Sequence, residues 1–487
     1  MVSRKSYLIL FLFVATVAVL AGCGSGGGVT GEQSATPPPP APENEQTIKQ
    51  LEGGNGIVKA KPELKGKVRI GYKGLNEKTA PDPITGKLVY GADELEKWLK
   101  KDYPNVDFEI IVYPGNKDHY TKAKALMEAK QVDVMIQSSS AQIWKEGYSV
   151  DLTPYIEKDD EYREDLHSSP KLATYFREWN PEFPTDESKK IPNTLPYSSA
   201  GEIMFYDTEI FKDFGVEPLS PNPTLDEIYE KAKKMTGINP RTGQQTYGLY
   251  IPTGGKAATW TLAAIVNALG GDIGDYAANE WDIKIKVDSP EWIEALEWLN
   301  KVKPFTPPGA ETGTDQGLEL WGTKDNNIAM HFSEGANFVF KYQSLGLTDK
   351  YEPAARPGNE NGEHARLGGD RVQMMKSAED PELAWEITKW FSVGNGQRFV
   401  FATQLGWPTS LVALGDDVEM TEEEKHALEI SSKITKKTPV DALSLHSIMI
   451  DAIESSTIKG VPPKEALEKA EQQKNETYAQ LKSAAGK

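Results

Sequence analysis

The one thiol of this 487-residue chain, Cys23, closes the run Leu20-Ala21-Gly22-Cys23. With no second cysteine there is no intramolecular disulfide, and burial of a core must hold the fold together. Catalytic signatures are missing: the sequence holds no HExxH, no GxSxG and no P-loop, and its six histidines are scattered. A glycosidase needs only two carboxylates, yet among 72 acidic residues no pair is marked by its context. Gly22 to Gly27 reads GCGSGG and so matches GxGxxG, but no strand precedes it and no helix follows, which removes the nucleotide reading. Asp82-Pro83-Ile84-Thr85-Gly86, leading on to Asp93 and Glu94, offers oxygens to calcium, but the spacing fails the EF-hand pattern. We read it as a plain turn before an N-capped helix, and expect neither metal nor cofactor. A net charge of −18 leaves no basic face for nucleic acid and suits a solvated exported surface.

Arg4 and Lys5 precede an apolar run from Tyr7 to Ala21, which ends on small residues. That is the layout of a secretory signal peptide, and the run is short for a membrane span. The junction resembles the lipobox of bacterial lipoproteins. The resemblance implies cleavage after residue 22, lipidation of Cys23 and retention at the outer face of the bacterial cell membrane. Residues 23–66 then form the lipidated cysteine and a flexible tether. It opens GSGGG, carries Pro37 to Pro40, and holds too few large apolar side chains to fold. As a coil, about 40 residues span ~35 Å. About 465 residues remain after cleavage, more than one core usually holds, so two lobes are expected.

Lys67 to Tyr72, Val106 to Tyr113 and Val132 to Ile136 read as strands, separated by helices near Asp93–Lys101 and Tyr120–Lys130. This alternation predicts a parallel α/β sheet. The pattern repeats further on. Glu202–Tyr206, Tyr247–Ile251 and Asn327–Phe332 read as strands. Helices are expected from Thr224 (a capping box with Glu227) to Met235, and from Trp260 to Gly270. Others follow Ser289-Pro290 and Asp380-Pro381, start at a second capping box, Thr421 to Glu424, and run from Pro463 to Leu481.

These residues resemble the family 1 extracellular solute-binding proteins of carbohydrate ABC transporters, through blocks in the right order. Asp151-Leu152-Thr153-Pro154-Tyr155 is similar to the family's DLTPY block. Leu195-Pro196-Tyr197 through Phe211 is similar to its first crossing between lobes. Pro223 to Ile228 is similar to PxTWDEL, with Leu225 in the tryptophan position. Asp380 to Trp385 is similar to NPExAWE, and Gly406-Trp407-Pro408 to its GxxP segment. The resemblance implies an α/β, bilobal periplasmic-binding-protein-like fold (type II). Lobe 1 would be residues 67–198 plus 368–409, and lobe 2 residues 199–367 plus 410–482. It also implies a monomeric, non-enzymatic receptor. Such a receptor closes on a sugar or oligosaccharide and hands it to ABC permease subunits. The weaker readings are a secreted glycan-acting hydrolase and an adhesive surface lipoprotein.

A sugar offers apolar C–H faces ringed by hydroxyls, so its site needs aromatic platforms and polar side chains. Most of the 11 tryptophans belong to packing, including Trp98, Trp292, Trp298, Trp385 and Trp390 in patterned helices. The candidates are at strand ends and loops. Trp260 follows the loop Pro252-Thr253-Gly254-Gly255, Tyr197 precedes the first crossing, and Trp407 sits in Gly-Trp-Pro. Ser138 and Ser139 follow a buried strand at the carboxyl edge where α/β sheets bind ligands. Glu334 follows His331-Phe332-Ser333, Asp370 follows Gly368-Gly369, and Tyr72 ends the first strand. Lys73, Arg366 and Arg371 would be available to an acidic sugar.

Overall fold

The structure, a computed structural model, describes residues 60–486 apart from 82–87, 114–118, 138–142, 145, 161–182, 187–188, 192, 198–199, 275–280, 282, 314–315, 337, 363, 366, 369, 404–420, 437–442 and 485. The expectations for Cys23, residues 23–59 of the tether, Ser138, Ser139, Trp407, Arg366 and the Asp82–Gly86 turn fall outside the described residues. Residues 60–66, expected in the flexible tether, are instead packed: Leu64 lies against the first core, Lys61 Nζ meets Glu386 Oε2 at 2.8 Å, and Gly66 already opens the first strand.

In chain order the elements that matter are β1 (Gly66–Lys73), α1 (Ala92–Asp102), β2 (Val106–Tyr113), α2 (His119–Glu128), β3 (Val134–Gln137), β4 (Leu195–Pro196) and β5 (Ala200–Asp207). Then come α3 (Leu225–Lys234), α4 (Gly255–Ala268), α5 (Pro290–Val302), β6 (Met330–Gly335), β7 (Tyr351–Ala354), β8 (Leu367–Gly368) and β9 (Arg371–Met374). The chain continues with α6 (Pro381–Val393), α7 (Asn395–Thr403), α8 (Glu422–Ser432), α9 (Leu443–Thr457) and α10 (Pro463–Ala484).

The first sheet has the order β2-β1-β3-β9-β4. β1 runs parallel to β2 and β3, as the alternation requires, while β9 returns antiparallel to β3 and β4. On β1 and β3 the period of two is clean. Val68, Ile70, Tyr72, Val134 and Ile136 enter one core, and Met135 enters another with Ala123 and Met127 of α2. Leu95 and Leu99 of α1 are fully buried, with Trp98 packed partly against the same core.

The second sheet departs from expectation. Its central strand β5 pairs antiparallel with β6, β7 and β8, not in a parallel run. Local alternation cannot specify this, because β5 takes its partners from segments more than 120 residues away. Tyr247 and Tyr250 make only isolated parallel bridges, to Ile328 and His331. β6 carries one extra residue: His331 opposes Phe205, and Glu334, three residues on, opposes Ile203. That bulge puts His331 and Glu334 on one face although their spacing is odd.

Of the two capping boxes read in the sequence, one is half formed and one is complete. Thr224 caps α3 by accepting from the Glu227 amide at 3.1 Å, but the Glu227 carboxylate turns to Ser220 instead of closing the box. At α8 the box is complete, with both Thr421–Glu424 bonds formed. α5 buries Trp292, Ala295, Leu296, Leu299 and Val302, the face its spacing predicts. These side chains join α3, α4, α9 and α10 in a second core. The chain passes from the first sheet to the second between β4 and β5, and returns between β8 and β9. At the entry to β5, a Cβ on Gly201 would meet Ser431 Oγ of α8 at 2.1 Å, so only glycine lets that helix end pack there.

Candidate ligand-binding site

β9 is antiparallel to β3, with Arg371 opposite Gln137. The start of β9 therefore lies at the same edge as the carboxyl ends of β1 and β3. This edge gathers Tyr72 and Lys73 from β1, Tyr197 after β4, and Asp370 before β9. The Lys73 ammonium donates to Asp370 Oδ1 at 2.5 Å, and the Tyr197 amide donates to the Asp370 carbonyl at 3.1 Å. The hydroxyls of Tyr72 and Tyr197 share a hydrogen bond, and their rings meet edge to face at 5.8 Å, both against Phe391 of α6. The Gln397 amide reaches the Tyr197 carbonyl at 2.6 Å. Three residues expected from sequence are thus brought together, with Lys73 completing the group.

Both tyrosines are 1% exposed. Alternation along β1 puts the Tyr72 ring on the core face, so the pair shapes the edge from behind. Burial raises the phenol pKa of Tyr72, Tyr197 and Tyr113 above the ordinary tyrosine value, and all three stay neutral.

Glu334, at the end of β6, is buried in an aromatic cluster. Its carboxylate accepts from Trp321 Nε1 at 3.0 and 3.2 Å and from the Tyr342 hydroxyl at 2.6 Å. Tyr342 stacks on Tyr351 at 4.5 Å, and Trp321 packs on Tyr351 at 4.9 Å and on His331 at 5.4 Å. Sequence reasoning missed Trp321, Tyr342 and Tyr351, which lie in segments without strong periodicity. Spacing gave no signal for them, and only the bulge in β6 aims Glu334 at them.

His331, sandwiched by Tyr250 and Trp321, has its pKa pushed down to about 3 by burial. The folded protein keeps it neutral while the unfolded chain takes up a proton near its ordinary value of 6.5. Its contribution to stability is complete above pH 6.5 and is lost as pH falls toward 3, at most ~1.4 kcal/mol per pH unit. Replacing His331 with Gln is expected to flatten the acid limb of melting temperature against pH between 6.5 and 4. An unaltered acid limb contradicts this assignment.

Trp260 was expected to open its helix, but α4 starts five residues earlier, at Gly255. Gly254 caps it with backbone alone, because a Cβ there would sit 2.0 Å from the Glu311 carbonyl oxygen. Trp260 therefore stands in the second turn, half-buried. Its ring leans on His446 at 6.0 Å and has Lys256 Nζ 4.9 Å from its centroid, one turn before it. Near the Asp93 turn, the Asp93 carboxylate accepts from the Thr79 amide and hydroxyl, both at 2.8 Å, and so serves the turn. A cavity of about 780 Å³ among Thr224, Leu225, Glu297, Trp298, Lys301 and His364 is lined by none of the sequence candidates. Among the described residues no cluster of three or more metal-ligating side chains occurs, and no helix is long and apolar enough to cross a membrane.

Comparison with known proteins adds to this geometry. The sn-glycerol-3-phosphate-binding periplasmic protein UgpB of Brucella abortus is 23% identical over 267 residues, covering 53% of this chain and 55% of that protein. The UgpB of Rhizobium meliloti is 25% identical over 161 residues, 32% of this chain and 33% of that one. The chain thus spans about half the length, or less, of the curated relatives it matches. Among solved structures, the ABC substrate-binding protein Lmo0181 of Listeria monocytogenes, in complex with cycloalternan, superposes with a TM-score of 0.64 at 18% identity, covering 85% of this chain and all of that one. Maltose-bound MalE3 of T. maritima gives a TM-score of 0.63 at 15% identity, covering 84% and 99%. The fold is the bilobal α/β periplasmic-binding-protein fold expected from the sequence. The model of the family described as "Bacterial extracellular solute-binding protein" matches residues 81–392, and the chain belongs to that family.

Proposed function

We propose that this solute-binding protein captures a sugar or oligosaccharide between two lobes, closes about the crossings, and delivers it to an ABC permease. One observation carries most weight: the end of β1 contacts both the Tyr197 and the Asp370 crossing, the place where a ligand-side change alters the hinge. Ligand bridging both lobes would favour the closed form, because only that form makes both sets of contacts. On this reading lobe 1 is 67–198 plus 368–409 and lobe 2 is 199–367 plus 410–482. The ligand meets Trp260, Tyr197, Tyr72, Glu334, Asp370, Ser138, Ser139 and Trp407 or the residues they hold in place. Interdomain clefts are common small-ligand sites. The Lys73–Asp370 pair, in which the two charges offset one another, and the saccharide-bound neighbours support an uncharged polyhydroxylated ligand. The protein is a monomer without enzymatic activity, held outside the cell by lipid on Cys23.

A thermal-shift panel of maltose, longer glucans, D-mannitol and sn-glycerol 3-phosphate, followed by chromatography of the sugars, tests this. A receptor for sugars gives a saturable shift with a saccharide and returns it intact. Cleavage products establish an enzyme, a response to glycerol phosphate alone overturns the sugar assignment, and no shift with any solute contradicts the receptor reading.

A further inference from the structure

We infer that the Lys73–Asp370 ion pair is a latch within the first lobe, fixing the return crossing to β1 and so setting where the hinge bends. This rests on the two-lobe reading above, but not on the identity of the ligand. The backbone passes between the sheets next to Tyr197 and next to Asp370, so any rotation of one sheet against the other must change dihedral angles there. Lys73 belongs to neither crossing. It is the last residue of β1, a strand inside the first sheet, flanked by β2 and β3. Its ammonium nevertheless reaches Asp370, 297 residues away in sequence, at 2.5 Å.

The two side chains are each 16% exposed, so solvent screens their attraction less than that of an open surface pair. Asp370 is tied a second time, since its carbonyl accepts from the Tyr197 amide at 3.1 Å and from Arg371 Nη1 at 3.1 Å. Tyr197 is in turn fixed by the Tyr72 hydroxyl and the Gln397 amide. Two consecutive residues of one strand, Tyr72 and Lys73, thus grip one crossing each, and a backbone hydrogen bond joins the crossings to one another. Moving either crossing alone breaks a contact. Releasing Lys73 from Asp370 removes one tie of the return crossing to β1 and, through the shared amide, loosens the outward one. Lys73 and Asp370 are positioning residues in this scheme.

Amide hydrogen exchange on the full exported chain, without added ligand, tests the latch. Asp370→Asn and Lys73→Met are each expected to speed exchange about tenfold or more in peptides covering residues 195–207 and 365–374. Peptides from α4, α5 and α10 should stay unchanged. The charge-reversed double variant, Lys73→Glu with Asp370→Lys, should recover most of the protection, which a merely structural loss of packing would not do. Should Asp370→Asn fail to fold, Lys73→Met carries the same test and leaves every backbone bond of Asp370 in place. Unchanged exchange at both crossings, or faster exchange spread evenly over the chain, overturns the latch. So does a reversed pair no better than the single variants. Because no sugar is added, a protein that binds no saccharide can still show the effect, and a sugar binder without it refutes the latch alone.

Discussion

Trp260→Ala is expected to weaken binding of the sugar that raises the melting temperature most by a factor of ten or more. Trp260 is half-buried: part of its ring packs on the second core beside His446, and Lys256 lies over it. A ring so held loses little freedom when a sugar face stacks on it, which is why rigid aromatics serve as platforms. Burying a stacked face contributes on the order of 1–2 kcal/mol, and 1.4 kcal/mol is a tenfold change in Kd. Stability should fall less than for removal of Trp292, which is fully buried in the same core. Isothermal titration decides between the outcomes. Trp260→Phe should keep most of the affinity, while an unchanged isotherm for Trp260→Ala removes this residue from the site.

The largest loss of stability is expected at Trp390. This side chain of α6 is fully buried, lies edge-on to Phe391 at 4.9 Å, and donates its indole N–H to Asp102 Oδ2 at 2.7 Å. Asn395 donates to the same oxygen at 2.7 Å, so the end of α1 and the start of α7 are tied through one buried carboxylate. Trp390→Ala opens a cavity costing ~3–5 kcal/mol and strips a donor from Asp102, which adds ~1–3 kcal/mol. Urea unfolding should show Trp390→Phe losing much less, because the ring volume is mostly kept and only the hydrogen bond goes. A loss below ~1 kcal/mol for Trp390→Ala contradicts the packing described here.

Where a residue's role depends on near neighbours, the sequence was legible. The buried stripe of α5, the alternation along β1 and the Thr421 capping box follow from spacings of two to four residues, and the structure bears them out. Trp292, Trp298, Trp385 and Trp390 are buried as packing residues. Legibility ended where partners are distant. The antiparallel order around β5 joins segments brought together only by the tertiary fold. Glu334 meets Trp321 and Tyr342 because one extra residue in β6 turns it, and no periodicity announces a bulge. The start of α4 was misplaced because Gly254 and Gly255 look like a loop. There the glycine serves a close backbone approach, and no capping side chain marks the helix. At the candidate site, Tyr72 stands out in the sequence by its place at the end of a strand, and Tyr197 and Asp370 by their places beside the crossings that the resemblance implies. Their mutual contact, and the part Lys73 plays, depend on a fold that places residue 73 beside residue 370.

Small-angle X-ray scattering of the protein, with and without a saturating amount of the saccharide that gives the largest thermal shift, tests the central claim most directly. Closure of two lobes on that saccharide predicts a saturable fall in radius of gyration, with the same midpoint as the calorimetric titration. A scattering curve that stays identical while the sugar is demonstrably bound contradicts it.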